Sequence, residues 1–509
     1  MATRKDQLDA FVFARRRMVA NLVAPSPTGS DEAAPRPVKT FFTSAILSAI
    51  AVAGVAVLGV FKPAAPSGWE AGLAVDSSSG AAYVYSPQDK QLHPVVNITS
   101  ARLLLGTNFK KFDVPDSVIN GPDTTIGAPI GILNAPPDVP TAGNVDLKQW
   151  TLCLDSANHG DQRQPNGKTI LEVGYGAGSD STALQNTAVV VHDPNNTNYL
   201  IDGDYAYPIS QDNAVTSQLV QISVDPGHGA GPWVSNAWLK AFRPGSQLQL
   251  PSVAGLGDPV TQAGQIGTNI GDYGTALGDN GQQSGYYIQT LDGLVQVNPF
   301  VYSLYKVGPA GSNKHVHQLS LTGAQVLNAK PRPELTSPTS LLNAGNDWPQ
   351  NVVTLLDADG TSPGFGVLCA GFSAGSFDGD PPHIALYYGT HLPQPLPTGI
   401  TVQGSGQSAA DYVLVKAGHA ALAREVSGGN NLNSGSQYLV TETGIRYLMT
   451  PSARLVGAAA DAQPVSAAQM LQYDKVEVTK VPQSWMSLVP TGPPLNPAAA
   501  GGPPSLASN

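Results

Sequence analysis

The chain has 509 residues, 54 of them Gly and 43 Pro, with 13% charged residues and a formal net charge of −10. Punctuation this dense excludes an architecture of long helices and predicts many short strands joined by turns, in two or more structural units. The thin negative charge, with no basic patch in the long part after residue 62, argues against nucleic acid as a partner.

The first element is a helix over 6–23. Leu8, Phe11, Val12, Met18, Val19 and Leu22 recur at helical spacing, Thr3 with Asp6 forms a capping box, and Pro25 ends the segment. Asp6 and Asp9 come early and Arg15, Arg16 and Arg17 later, as the helix dipole favours. Arg15 is the anomaly, because it falls inside the apolar stripe. Two readings stay open: the arginines lie against anionic membrane lipid, or the helix docks into a partner. In the second reading Leu8, Phe11, Met18 and Leu22 anchor it, and Arg15 meets a carboxylate.

The run "TFFTSAILSAIAVAGVAVLGVF" from Thr40 to Phe61 has no charge and is bracketed by Lys39 and Lys62. At about 22 residues it matches the roughly 20 needed to cross a bilayer. It is longer than the apolar part of a secretory signal and starts too far into the chain. It also lacks the polar stripe of a soluble core helix. It therefore reads as a single transmembrane helix. The bases that precede it put 1–39 in the cytoplasm and 62 onward outside, a single-pass cell-membrane protein with its bulk extracytoplasmic. The domain plan is 1–39 as cytoplasmic helix and linker, 40–61 as anchor, 62–489 as an extracytoplasmic repeat domain, and 490–509 as a Pro/Ala/Gly-rich tail, disordered or extended.

Within 62–489 a weak repeat starts at Tyr83, Tyr199, Tyr287 and Tyr438. Each copy opens with an aromatic and β-branched run, turns, returns through a second short strand and reaches a helix cap at Asn97, Ser210, Asn298 or Thr450. Pro299 and Pro451 follow two of these caps, which suits the first helical position. The expectation is a mostly β, α+β fold with short helices: four ββα-like repeats around a small central β-structure in an elongated domain. Each unit would pack mainly on its neighbours, a scaffold more than a catalytic cleft.

Cys153 and Cys369, the only cysteines, lie beyond the anchor. An even count in an oxidising compartment favours one bridge between them; two buried free thiols are the alternative. Chemistry-bearing motifs are weak. "QRQPNGKT" (Gln162 to Thr169) ends like a phosphate-binding loop but has Gln162 where the first glycine belongs, so a turn at Asn166-Gly167 is expected. "VDPGHGAG" (Val224 to Gly231) resembles the start of zinc-dependent peptidoglycan amidases, yet no Glu occurs between His228 and Glu334 to complete a site. His315 and His317 would share one face of a strand without a nearby carboxylate or cysteine in sequence. No catalytic residue, metal or cofactor is assigned.

Taken together, "RKDQLDAFVFARRRMVANLV", "FKPAAPSGW", "QLHPVVNITSARLLLG", "WTLC" around Cys153, "AWLKAF" and the proline-rich end resemble the EccB component of actinobacterial type VII (ESX) secretion systems. The segments 155–195 and 255–285 look less typical. The resemblance implies a structural subunit of a secretion membrane complex, assembled with EccC, EccD and EccE and with further copies of itself. It implies four peripheral repeats on a small central β-structure, a pairing of Cys153 with Cys369, and EccC and EccD as the surface for the first helix. Some members carry an ATPase or hydrolase label; this chain has no intact Walker A motif, and ATP is not assigned. An anchored hydrolase, either such an ATPase or a zinc amidase, is the alternative function.

Overall fold

A computed structural model describes residues 3–23, 37–60, 65–155, 168–176, 182–184, 187–211, 232–261, 266–278, 282–333, 366–373, 383–394, 409–427, 434–455 and 463–504, with isolated positions at 178, 461 and between 342 and 355. Two compact units divide the chain: one of Met1–Trp69, Asp76–Gly80 and Phe112–Thr124, the other of the remainder from Glu70 to Asn509.

The smaller unit contains helix α1 (Arg4–Val23) and helix α2 (Pro37–Val60). The membrane-spanning helix expected at 40–61, and the single-pass topology built on it, are corrected. Among the described residues no helix is long and apolar enough to cross a membrane. Helix α2 is not uniformly apolar. It carries Lys39, Thr43, Ser44 and Ser48, with the Thr43 and Ser44 hydroxyls donating to the carbonyls of Lys39 and Phe41. These polar groups interrupt the apolar run.

The larger unit is mixed α+β, with several sheets. At its centre six strands lie in the order Tyr412–Val415, Lys168–Val173, Gln149–Asp155, Val367–Ser373, Ala385–Gly389, Thr182–Leu184. Around it the four expected ββα units prove to be pieces of a larger repeat. In the third copy, strands Tyr273–Leu277, Gln283–Thr290 and Gly293–Val297 form an antiparallel meander, and helix Pro299–Val307 follows. Strand Gln318–Thr322 then returns parallel to the first strand, and after helix Gly323–Ala329 the residues Arg332–Pro333 run parallel to the third.

The other copies repeat this wiring. In the fourth, Thr479–Pro482 lies parallel to Ala420–Val426, while Thr491 and Leu495 bridge in parallel to Arg446 and Met449. In the second, Trp233 bridges His192 of the first strand, and Arg243–Pro244 runs beside Tyr205–Ala206. In the first, the chain comes back beside its first strand, the Leu73 amide donating to the Lys110 carbonyl at 2.8 Å, and Ile126 and Ile130 run parallel to Leu92 and Val95. Sequence showed the middle of each unit. The first and last strands are too short and too irregular to carry a period.

Caps explain where the repeat helices begin. Asn97 and Asn298 have extended backbones, and their side chains accept from the amides of Ser100 and Val301. Thr450 does not cap: its N–H bonds the Leu495 carbonyl and its own carbonyl accepts from Ala467, so its backbone joins three segments. The helix of that repeat starts later, at Ala467–Met470, behind a capping box of Ser466 and Gln469. The helix expected after Ser210 lies outside the described residues.

Three cores link the parts. One face of the central sheet (Trp150, Leu152, Leu171, Leu368, Phe372) packs on the second repeat through Val189, Val191 and Trp238 and on the fourth through Ala421, Val440 and Trp485. Trp485 also donates from Nε1 to the Ala241 carbonyl at 2.8 Å. A second core joins repeats two and three through Ile201's neighbours Leu200 and Tyr207 with Ile288, Phe300 and Tyr305. A third joins repeats one and four through Leu103, Ile132, Leu422, Leu439 and Tyr473. Packing thus departs from simple succession, since the first repeat sits on the last. The tail belongs to this contact. Leu495 and Ala500 are fully buried, Asn496 caps the short helix Pro497–Ala500, and Gly131 donates to the Gly502 carbonyl at 3.1 Å. Residues 490–504 are therefore folded.

Candidate functional site

Two places concentrate unusual side chains. The first is α1. Asp6 receives both the amide and the hydroxyl of Thr3, at 3.0 and 2.7 Å, and these bonds hold its carboxyl below the ordinary range. One turn is thereby fixed, and the rest follows from good helix formers such as Leu, Ala, Arg and Met. The spacing brings Leu8, Phe11, Arg15, Met18 and Leu22 onto one face of α1. Their apolar members are solvent-facing: Leu8 is 62% exposed, Phe11 67%, Met18 72% and Leu22 88%. Phe13, on the opposite side, is exposed too. Among the described residues no carboxylate pairs with Arg15. A helix of this length gains little stability alone in water, and exposing several large apolar groups is uncommon unless something covers them.

The second place is the central sheet. Cys153 and Cys369 are directly opposite in the antiparallel pair Gln149–Asp155 and Val367–Ser373, and they form a disulfide across 216 residues of sequence. The intervening chain contains the second and third repeats, so the bridge closes their base. Two positions along the same sheet face is Glu172, paired in register with Thr151 and Leu414. It is fully buried; its Oε1 accepts the Gln394 amide at 3.2 Å and its Oε2 has no partner among the described residues. Burial pushes its carboxyl up to about 7. Sequence reading passed over it, although "KTILEVG" places a lone acid inside an apolar run, the pattern of a carboxylate carried into a core.

The weaker motifs are accounted for in part. Lys168 and Thr169 open a central strand, where the Thr169 amide donates to Asp411 and its hydroxyl meets Ser235; a phosphate-binding lysine would instead open a helix. The turn expected at Asn166-Gly167 and the stretch Val224 to Gly231 lie outside the described residues. His317 precedes a strand, with its amide on the Asp272 carboxylate at 2.8 Å and its Nδ1 3.5 Å from it, while the His315 amide bonds Asn313. These contacts tie down a loop through the buried Asp272, which also takes the amides of Thr268 and Asn269.

Among known proteins, the family model described as "Type VII secretion system ESX-1, transport TM domain B" matches residues 1–502. The chain belongs to the EccB family. It is 26% identical over 301 residues to the "ESX-1 secretion system ATPase EccB1" of Mycolicibacterium smegmatis (strain MKD8). That match takes in 58% of this chain and spans 60% of the relative's length. An EccB-like fold is also seen in solved structures. A chain of the "intact ESX-5 inner membrane complex" superposes with a TM-score of 0.62 at 20% identity, covering 100% of this chain and 97% of that one. The "EccB3 dimer from the ESX-3 core complex" gives 0.60 at 23% identity, covering 84% and 99%.

Proposed function

We propose that this EccB-family chain is a structural subunit of a type VII (ESX) membrane secretion complex, with α1 as a docking element and the repeat-bearing unit as a scaffold. The observation that carries the scaffold is the bridge from Cys153 to Cys369, which fastens the two ends of a two-repeat excursion to one sheet. A stapled, multiply cored body keeps its shape under load, which suits a frame for other subunits more than a cleft that opens around substrate. The partners are other components of the complex, EccC, EccD and EccE, and further copies of this chain; EccC and EccD are the surface for α1. That surface would offer an apolar groove with a carboxylate placed for Arg15.

Purification of the chain from membranes in detergent, with identification of copurifying proteins, tests this reading. A defined set of secretion components in fixed ratio is expected. A chain that purifies alone and hydrolyses ATP would overturn it in favour of an enzyme, the activity named in its EccB1 relative.

A further inference from the structure

Three Asn-Gly pairs occur in the chain; Asn120-Gly121 lies within the described residues, while Asn166-Gly167 and Asn280-Gly281 lie outside them. Such a pair is chemically labile, because a glycine amide nitrogen is unhindered by a side chain. That nitrogen attacks the side-chain carbonyl carbon of the asparagine. The Cγ–Nδ2 bond breaks, ammonia leaves with the amide proton, and a succinimide ring remains. Water then opens the ring at one carbonyl to give aspartate or at the other to give isoaspartate. Water is the one co-reactant.

The fold both requires this pair and restrains it. Asn120 is the C-cap of the short helix Asp116–Ile119. A Cβ on residue 121 would stand 2.7 Å from the Ser117 carbonyl oxygen and 3.2 Å from that of Val118, so the position demands glycine. Restraint acts on both reacting groups. Asn120 Nδ2 donates to Asp116 Oδ1 at 2.6 Å, which holds the electrophile one turn back along the helix. The Gly121 N–H donates to the Val118 carbonyl at 3.2 Å, which occupies the nucleophile. Thr124 fastens the turn, its N–H on the Gly121 carbonyl at 3.2 Å and its hydroxyl on the Val118 carbonyl at 2.8 Å. Ile119 is fully buried, whereas Asn120 is exposed, so water for the ring-opening step is at hand. Reaction therefore waits on local opening of residues 116–121 and not on a reagent.

We propose that Asn120 is a one-way modification site governed by Asp116: the amide survives while the helix end is closed, and deamidation fixes the open form once it opens. Either product carries a carboxylate at residue 120 and lacks the amide that donated to Asp116. Attraction one turn apart thereby becomes repulsion. Isoaspartate also adds a methylene to the backbone just before Gly121, where the Ser117 carbonyl leaves no room. The change accumulates with the age of the chain and records how often this segment opens. The proposal is independent of the secretion reading, since it rests on residues 116–124 alone.

The test incubates the purified full chain in water labelled with heavy oxygen at mildly alkaline pH. Peptide mapping by mass spectrometry counts conversion at Asn120 against a synthetic peptide of residues 116–123 kept under the same conditions. Asn120 in the folded wild type should convert at least about tenfold more slowly than in the peptide. Asp116→Ala should speed conversion in the folded chain about fivefold. Asn120→Asp, which imitates one product, should speed hydrogen exchange at the Gly121 amide by a similar factor. Should Asp116→Ala fail to fold, exchange at the wild-type Gly121 amide decides, with protection expected. Peptide-like conversion in the folded chain, a rate indifferent to Asp116→Ala, a Gly121 amide that exchanges freely in the wild type, or one that ignores Asn120→Asp overturns the proposal.

Discussion

Leu22 on α1 is 88% exposed, while Leu152 in the central sheet is fully buried, although both sit in runs rich in apolar residues. Each region also holds one misplaced charge: Arg15 within the stripe of α1, Glu172 within the neighbouring sheet strand Lys168–Val173. The difference teaches what each set is for. In the sheet the apolar groups are spent within the chain and the acid is neutralised by burial. On α1 they are left exposed, which is why we propose that the helix docks onto something outside the chain. Sorting residues by whether removal harms folding or assembly should separate the two regions cleanly.

The largest expected effect is on the bridge. Replacing Cys153 and Cys369 by Ser releases a long loop, and chain entropy alone puts the loss at up to about 5 kcal/mol. Denaturant unfolding under non-reducing conditions measures it. A loss under about 1 kcal/mol would mean that register between the central strands holds without the bridge. Leu152→Ala should cost about 2–5 kcal/mol, from lost burial and the cavity left in a core shared with two repeats.

Next in size is a pH effect at Glu172. Its folded value near 7 lies above its ordinary 4.5, so the folded chain holds a proton that the unfolded chain releases. That stability is fully present below about 4.5 and is lost as pH rises to about 7. Glu172→Gln should flatten this slope, gaining roughly 1–3 kcal/mol at neutral pH. Thermal unfolding across that range checks it, and parallel profiles for wild type and variant would contradict it. Smaller still, Asn298→Ala should cost about 1 kcal/mol by removing the cap on Val301.

How much of this was legible depended on whether a signal was local. Asn97 and Asn298 could be read because a cap acts within three residues. The box Ser466-Ala-Ala-Gln469 was equally local, and the attraction of Thr450-Pro451 hid it. What decides against Thr450 is the tail, which bonds it from Leu495. The pairing of first with fourth repeat, the folding of "PTGPPLNPAAAGG" and the burial of Glu172 all depend on contacts hundreds of residues apart. Composition marks such segments as irregular but says nothing about what they meet. On α1 the candidate residues were legible as a stripe, and the structure leaves Leu8, Phe11, Met18 and Leu22 uncovered.

The central claim is that α1 serves assembly and the sheet serves folding, and one paired measurement tests it. The double variant Phe11→Ala/Leu22→Ala, and separately Arg15→Lys, are compared with wild type for the unfolding midpoint of the purified chain and for recovery of the complex from membranes. Both variants should leave the midpoint within about 0.5 kcal/mol of wild type, as for surface substitutions, and both should lose copurifying subunits. Lysine keeps the charge for lipid but not the two-pronged bond to a carboxylate. Intact complexes from both variants, or a midpoint that falls with them, would contradict the account.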